Sequence, residues 1–390
     1  MYSKITDSIF YVGVNDADLD LFEGQYIVPN GISYNSYIIM DEKTAVMDTA
    51  DARKGDVWLA NVKEALGGKA PDYLVISHME PDHSANIARL AAEYPDMQLV
   101  GSAQMFKLIE QFYGDDFASR RILKKEGDTL ELGSHTLSFI AAPMVHWPEV
   151  MMSYEQSEKV LFSADAFGKF GTLDTDEEWD CEARRYYMNI VGKFGMQVQA
   201  LLKKASALEI GTICPLYGPI LTEDLGYYIN KYNIWSSYEP EESGVCIVYA
   251  SAHGNTKRAA LKLEQMLNEA GVETESFDLS RDDFAEAVEV AFKFDRLVAC
   301  SITYDMKIFP CMQSFLYRLS SKNFQKRKVG IIENGSWGPA SGKIMRESFE
   351  AMKDIEILEP VVTLKSALNA GSEEKLAELA AALQEAAPKE

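Results

Sequence analysis

Four metal-competent side chains fall within six residues at His78-Met79-Glu80-Pro81-Asp82-His83. Imidazole and carboxylate in one short loop suit a transition metal such as iron, manganese or zinc. The chain holds only five histidines, and two of them are here. Further along come His146, inside Pro143-Met144-Val145-His146-Trp147-Pro148, and Asp165, inside Leu161-Phe162-Ser163-Ala164-Asp165-Ala166-Phe167. An aspartate at that place can bridge two metals, because its two oxygens can bind separately. Each signal alone has a plainer reading. A histidine beside tryptophan often serves as a hydrogen-bonded structural residue, and an aspartate after a strand is often a turn former or helix cap. The ordered set of HxExDH, then His, then Asp is what points to a metal centre.

A second constellation begins more than 170 residues after His78. Ser251-Ala252-His253-Gly254-Asn255-Thr256 has small and hydroxylic residues at a turn that opens a helix. Backbone N–H groups and hydroxyls there can close on a phosphate, and the helix N-terminus adds its positive dipole end. An ordinary capped helix start is the alternative. Two more loops share the setting: Ser301-Ile302-Thr303-Tyr304-Asp305-Met306-Lys307-Ile308-Phe309-Pro310 and Asn334-Gly335-Ser336-Trp337-Gly338.

The elements that would carry these residues are legible as alternating strands and helices. The metal loop follows the apolar run Tyr73–Ser77, which reads as a buried strand. Other early strands are expected at Ser36–Met40, Thr44–Asp48, Gln98–Gly101, Thr136–Ala141, Met151–Tyr154 and Lys159–Ser163. Helices are expected at Val57–Leu66, Ser84–Glu93, Ser102–Tyr113, Asp180–Gly195 and Gln197–Leu208. After a polar joint at Ser237–Ser243, strands at 245–250, 272–278, 296–300, 327–333 and 355–363 alternate with helices at 256–270, 283–290, 309–320 and 340–350. Five short strands with crossover helices predict a doubly wound parallel sheet, which binds ligands at its carboxyl edge. All three loops of the second constellation fall on that edge. The Ala/Leu/Glu-rich segment Ser372–Ala387 reads as a terminal surface helix. The expected domains are 1–240 and 245–390.

Composition sets outer bounds. A chain of 390 residues has room for two domains, each with its own core. The formal net charge of −22 argues against nucleic acid, which favours a basic face. The five cysteines are odd in number and lack CxxC spacing, so reduced thiols and a cytoplasmic location are expected. No apolar run approaches the roughly 18 residues that span a bilayer, and the N-terminus lacks a secretory h-region, so no membrane association is expected.

The metal set in an α/β frame resembles the metallo-β-lactamase fold, an αββα sandwich whose superfamily motif usually reads HxHxDH. Here Glu80 replaces the second histidine, which hardens the site and shifts preference from zinc toward iron. Such a domain followed by a flavodoxin-like one is similar to the flavodiiron proteins, or A-type flavoproteins. The resemblance covers essentially the whole chain, includes Gly31-Ile32-Ser33-Tyr34-Asn35-Ser36-Tyr37, and corresponds to the minimal two-domain class. It implies two irons: one held by His78, Glu80, His146 and bridging Asp165, the other by Asp82, His83 and the second oxygen of Asp165. It also implies FMN, because Ser251–Thr256 is similar to the flavodoxin phosphate loop and lacks the GxGxxG of dinucleotide sites. The FMN contacts would be Ser251, His253, Gly254, Asn255, Thr256, Thr303, Tyr304, Asp305, Asn334, Gly335, Ser336, Trp337 and Gly338. Tyr304 and Trp337 would flank the isoalloxazine unless they are core aromatics, and His253 either contacts the phosphate or faces solvent. The implied activity is reduction of O2 to water or of NO to N2O. Electrons would come from a rubredoxin-like protein or a reduced cofactor, in a head-to-tail homodimer or a dimer of dimers. A metallohydrolase fused to a flavodoxin, and an FMN electron carrier with a degenerate metal site, are the other two classes.

One position departs from the family pattern. The second iron would take a further histidine from a segment that here reads Cys214-Pro215-Leu216-Tyr217-Gly218-Pro219-Ile220. Tyr217 stands in its place. A phenolate can ligate ferric iron, but the phenol must first lose a proton from a group with pKa near 10. The alternatives are a neutral phenol holding a metal-bound water, or a weak second site.

Overall fold

The computed structural model describes residues 2–387. The chain divides into two compact units: residues through Tyr186 with Met196–Asn233, and Tyr187–Gly195 with Ile234 onward. The short return at 187–195 is not part of a simple division near residue 240.

The first unit is an αββα sandwich. One sheet has seven strands in the order Ser3–Lys4, Ile9–Tyr11, Tyr37–Ile39, Ala45–Met47, Tyr73–Val75, Gln98–Gly101 and Arg121–Leu123. Its first four strands pair antiparallel and the rest parallel. The other has five strands: Thr129–Glu131, Thr136–Ala141, Met151–Glu155, Val160–Phe162 and Thr212–Cys214. The sheets face each other through one apolar cluster, in which Tyr37, Met47 and Val75 meet Phe139, Met151 and Phe162. Helices Gly55–Leu66 and Ala103–Tyr113 end at Gly67 and Gly114, both in the left-handed conformation that a helix C-cap favours. The expected helix Asp180–Gly195 is regular only over Trp179–Tyr186, then widens to a π-turn over Tyr187–Val191 and tightens over Gly192–Phe194.

The second unit is a doubly wound sheet. Strands Thr274–Asp278, Glu242–Ala250, Phe294–Tyr304 and Arg327–Asn334 lie side by side, all parallel. The fifth position is shared by Ile355–Ile357 and Val362–Leu364, both parallel to Arg327–Asn334. The single strand expected at 355–363 is thus broken around Pro360, which has no N–H to give the ladder. The terminal helix, Ala370–Glu385, lies at the surface as expected, with one face open to solvent. Leu376, Leu379 and Leu383 recur at helical spacing and are fully buried against the sheet. Among the described residues no helix is long and apolar enough to cross a membrane.

Candidate functional site

His78 sits just past strand Tyr73–Val75, where Asp48 Oδ1 accepts from Ser77 N–H at 2.6 Å and fixes the strand end. Pro81 then opens a single helical turn, Pro81–Ser84, that presents Asp82 and His83 together. His146 follows strand Thr136–Ala141 in a tight loop closed by Met144 N–H to Trp147 C=O at 2.8 Å. Asp165 lies in the turn that follows strand Val160–Phe162, three residues past its end. Its neighbours Ala164 and Phe167 have φ of 50° and 67°. Left-handed backbone at two non-glycine residues around one carboxylate is strain of the kind found at functional loops.

These separate loops converge. Donor atoms of His78, Glu80, His146 and Asp165 all lie within 4.8 Å of one another. Glu80 Oε2 is 3.1 Å from His146 Nε2 and 3.3 Å from His78 Nε2, and Asp165 Oδ2 is 3.2 Å from His146 Nε2. Ligands about 2.0–2.2 Å from one ion stand about 3.0–3.6 Å apart, so these separations fit the edges of a coordination polyhedron. The other half is looser. His83 Nε2 is 3.6 Å from both Asp82 Oδ2 and Asp165 Oδ1. Asp165 therefore turns one oxygen to each half.

The donor atoms are also left open by the protein. Asp82 Oδ1, both His83 ring nitrogens, His146 Nε2 and both Asp165 oxygens are buried without a hydrogen-bond partner. Buried polar atoms are ordinarily bonded, so a convergent orphan set of this size fits a cation. The titration pattern agrees. For His146, burial opposes the charged form, but Asp165 and Glu80 outweigh it and raise the pKa to about 9. Burial raises Asp82 well above the usual carboxylate range, with Glu80 and Asp165 adding to it. Without a cation, Asp82 holds a proton. Burial takes His83 down to about 4, which leaves it neutral with a free lone pair.

Tyr217 faces this centre. Its ring is 4.5 Å from that of His83, and its hydroxyl donates to Asp82 Oδ2. Burial, then Asp82 and Asp165, pushes the phenol well above its ordinary value, so it stays protonated here. The loop is clamped by the early Gly31–Tyr37 stretch. Asn35 Nδ2 donates to the carbonyls of Pro215 and Gly218 at 2.9 and 2.8 Å, Tyr37 donates to Pro215 C=O, and Gly218 N–H donates to Ser33 Oγ. Gly218 has φ of 71°, and a Cβ there would come within 2.8 Å of Lys169 Cγ, so only glycine fits.

Sequence reasoning missed Glu149. It is buried, its Oε1 lies 2.8 Å from His78 Nδ1, and it also accepts from Met79 N–H at 2.9 Å. This bond puts the His78 proton on Nδ1 and aims Nε2 at the cluster, the carboxylate–histidine support typical of metal ligands. The one available signal was an acidic residue three positions after a candidate ligand.

In the second unit the three loops gather as expected. Ser251, His253, Asn255, Thr256, Thr303, Tyr304, Asp305, Asn334, Gly335, Ser336, Trp337 and Gly338 line one cleft of about 470 Å³. Gly254 precedes helix Asn255–Glu269 with φ of 82° and open space where a Cβ would be. The first-turn N–H groups of that helix are the ones a helix leaves unbonded, which fits a phosphate. Some expected contacts are already engaged. Thr303 Oγ1 accepts from Ala340 and Ser341 N–H, starting helix Ser341–Glu350, and Thr256 Oγ1 accepts from Asn334 Nδ2 at 3.3 Å. Trp337 is 91% exposed and Tyr304 50% exposed, so neither is a core aromatic. His253 is exposed at the cleft rim. Met306 and Ser366 also line the cleft and were not anticipated.

Comparison with known proteins places this architecture. Residues 32–218 match the model of a family described as ODP family beta lactamase. The nitric oxide reductase of Moorella thermoacetica is 30% identical over 373 residues, covering 93% of this chain and 92% of that protein. The solved rubredoxin oxygen:oxidoreductase of Desulfovibrio gigas superposes with a TM-score of 0.92 at 25% identity, over 99% of this chain and 98% of that one. The flavodiiron protein of Giardia intestinalis shares the fold, with a TM-score of 0.90 at 23% identity over 99% and 95% of the two chains.

Proposed function

Since this chain belongs to the flavodiiron protein family, we propose that it reduces O2 to water or NO to N2O at two non-haem irons, with electrons arriving through FMN. It is an oxidoreductase, and the finer reading rests on one observation: the unpartnered donor atoms that converge on both sides of Asp165. His78, Glu80, His146 and one oxygen of Asp165 would hold the first iron. Asp82, His83 and the other oxygen of Asp165 would hold the second. Glu80, Asp82, Asp165 and the supporting Glu149 supply four carboxylates to three histidines, an excess of negative charge that two divalent cations would balance. When bound, the irons take and reduce the diatomic substrate, and the flavin relays electrons to them.

The chain's own groups do the rest. Glu149 sets the His78 tautomer. Tyr217 keeps a proton on its hydroxyl against Asp82 Oδ2, in place of a nitrogen ligand. The bond to Asp82 Oδ2 supports a neutral phenol beside the second metal. In the second unit, Ser251 through Thr256 would take the FMN phosphate with uncharged N–H and O–H donors. Trp337 and Tyr304 would cover the ring. The working unit is a head-to-tail homodimer in which FMN of one copy serves the metals of the other. A rubredoxin-like protein or a reduced cofactor is the donor. Elemental and flavin analysis of the purified protein tests the assignment: two irons and one FMN per chain are expected. One zinc with flavin would replace it by a hydrolase, and flavin without metal by an electron carrier.

A further inference from the structure

Behind the metal loops lies a cavity of about 390 Å³ that none of the proposed ligands uses. Its floor is Val145 and Ala166, the residues adjoining His146 and Asp165, together with Phe167. Consecutive Cα atoms are about 3.8 Å apart, so the floor lies one residue along the backbone from each of two ligands. Its walls are the apolar faces of two helices: Val198, Leu201 and Ala205 from Gly195–Ala205, and Leu225 and Ile229 from Leu225–Ser237. The floor residues are buried, whereas Ala205 and Ile229 are half-buried and Ser206 and Gly226 are exposed. The cavity therefore runs from the surface down to the metal loops.

Its lining is mostly apolar. The only side-chain hydroxyls are those of Ser206 and Tyr232, and both are engaged, to Lys203 C=O at 2.8 Å and with Phe167 N–H at 2.6 Å. An apolar cavity of roughly 150 Å³ stays dry and takes up xenon or benzene, and this one is larger. Close packing would ordinarily close such a void, since its lining forfeits contacts.

We infer that this cavity is a binding site for small uncharged apolar molecules, and that it collects the diatomic gas and feeds it to the metal centre from behind. The second half of this inference rests on the reductase reading, and the first half does not. A structure of the holoprotein under xenon pressure is expected to show xenon between Val198, Ile229 and Ala166. Ala205→Trp, at the mouth, is expected to remove that xenon and to raise KM for O2 or NO several-fold, with kcat, iron and FMN content unchanged. Ala205→Phe is the milder variant should the tryptophan fail to fold, with the same direction of effect. Xenon absent from the cavity would overturn the site. Xenon present in the wild type, with unchanged KM in a variant that excludes it, would overturn the feeding role. Xenon bound in a holoprotein that reduces neither gas would overturn the reductase reading and leave the apolar site standing.

Discussion

Removing Glu149 tests whether the metal centre depends on a residue that touches no metal. Glu149 Oε1 meets two buried donors, His78 Nδ1 at 2.8 Å and Met79 N–H at 2.9 Å. Glu149→Ala strands both. Each unsatisfied buried donor costs about 1–3 kcal/mol, so the apoprotein should lose about 2–6 kcal/mol of stability. That is a large part of the total of about 5–15 kcal/mol typical of a domain, so the alanine variant tests stability. Glu149→Gln tests metal binding, because it keeps an acceptor oxygen for both donors while removing the charge, with its NH2 in the place of the unpartnered Oε2. Loss of such carboxylate support typically lowers metal affinity about 10–100-fold. The retained hydrogen bonds put Glu149→Gln at the mild end, about ten-fold or about 1.4 kcal/mol. Competition between the apoprotein and a chelator for Fe(II) or Co(II) reads the affinity, and thermal unfolding reads the stability. Wild-type metal affinity in Glu149→Gln, or wild-type stability in Glu149→Ala, would refute the reasoning.

Asp165→Ala should lose both metals and keep FMN, because its two oxygens face different halves of the centre and the flavin loops lie in the other unit; full metal content in the purified variant would end the bridging assignment. Tyr217→His should raise occupancy of the metal near Asp82 and His83 together with reductase activity, as a neutral nitrogen replaces a protonated phenol. An unchanged second-metal affinity would show that Tyr217 does not limit the site. Trp337→Ala should weaken FMN binding or shift its potential while leaving iron content alone, and a flavin indistinguishable from wild type would make Trp337 mere surface. The apoprotein also carries a pH-sensitive pair away from the metals. Burial disfavours charge on His135, but Asp41, at 2.7 Å, and Glu155 outweigh it and raise its pKa above 6.5. Burial likewise opposes ionised Asp41, and His135 overrides it to bring that carboxyl from 3.8 to about 2. The histidine's contribution is therefore complete below pH 6.5 and fades as pH rises through its raised folded value. The aspartate's is complete above pH 3.8 and fades as pH falls through about 2. The stability difference between wild type and His135→Gln should be largest between those limits and shrink as pH rises through the raised folded value of His135; a difference that grows with pH above 6.5 would contradict this.

The metal loop was legible because its four side chains are local and follow a strand that hydrophobicity alone identifies. His146 and Asp165 were legible as residues at strand ends, and the resemblance supplied their roles. Glu149 was not, because its role depends on reaching back across the sandwich to His78, a contact no spacing encodes. Strands such as Ile9–Tyr11 and Thr212–Cys214 are three residues long, too short for a period to emerge. The terminal helix was legible because its Leu376, Leu379 and Leu383 stripe recurs at helical spacing among Ala and Glu that face solvent. Trp337 and Tyr304 carry no sequence mark separating core from surface, and only the packed loops show them exposed at the cleft.

The central claim is that gas reduction runs through metals held on both sides of Asp165 and drains electrons from the flavin. Anaerobic single turnover tests it most directly. Protein loaded with iron and FMN is fully reduced and mixed with limiting O2 or NO. Flavin is followed by absorbance, iron by Mössbauer spectroscopy, and the product is identified. The account predicts that flavin and iron reoxidise together, giving water or N2O, and that metal-free Asp165→Ala leaves NO unreacted and yields only slow formation of hydrogen peroxide from O2. Flavin reoxidation at the same rate and to the same product without metal, or reduced irons inert to both gases, would contradict it.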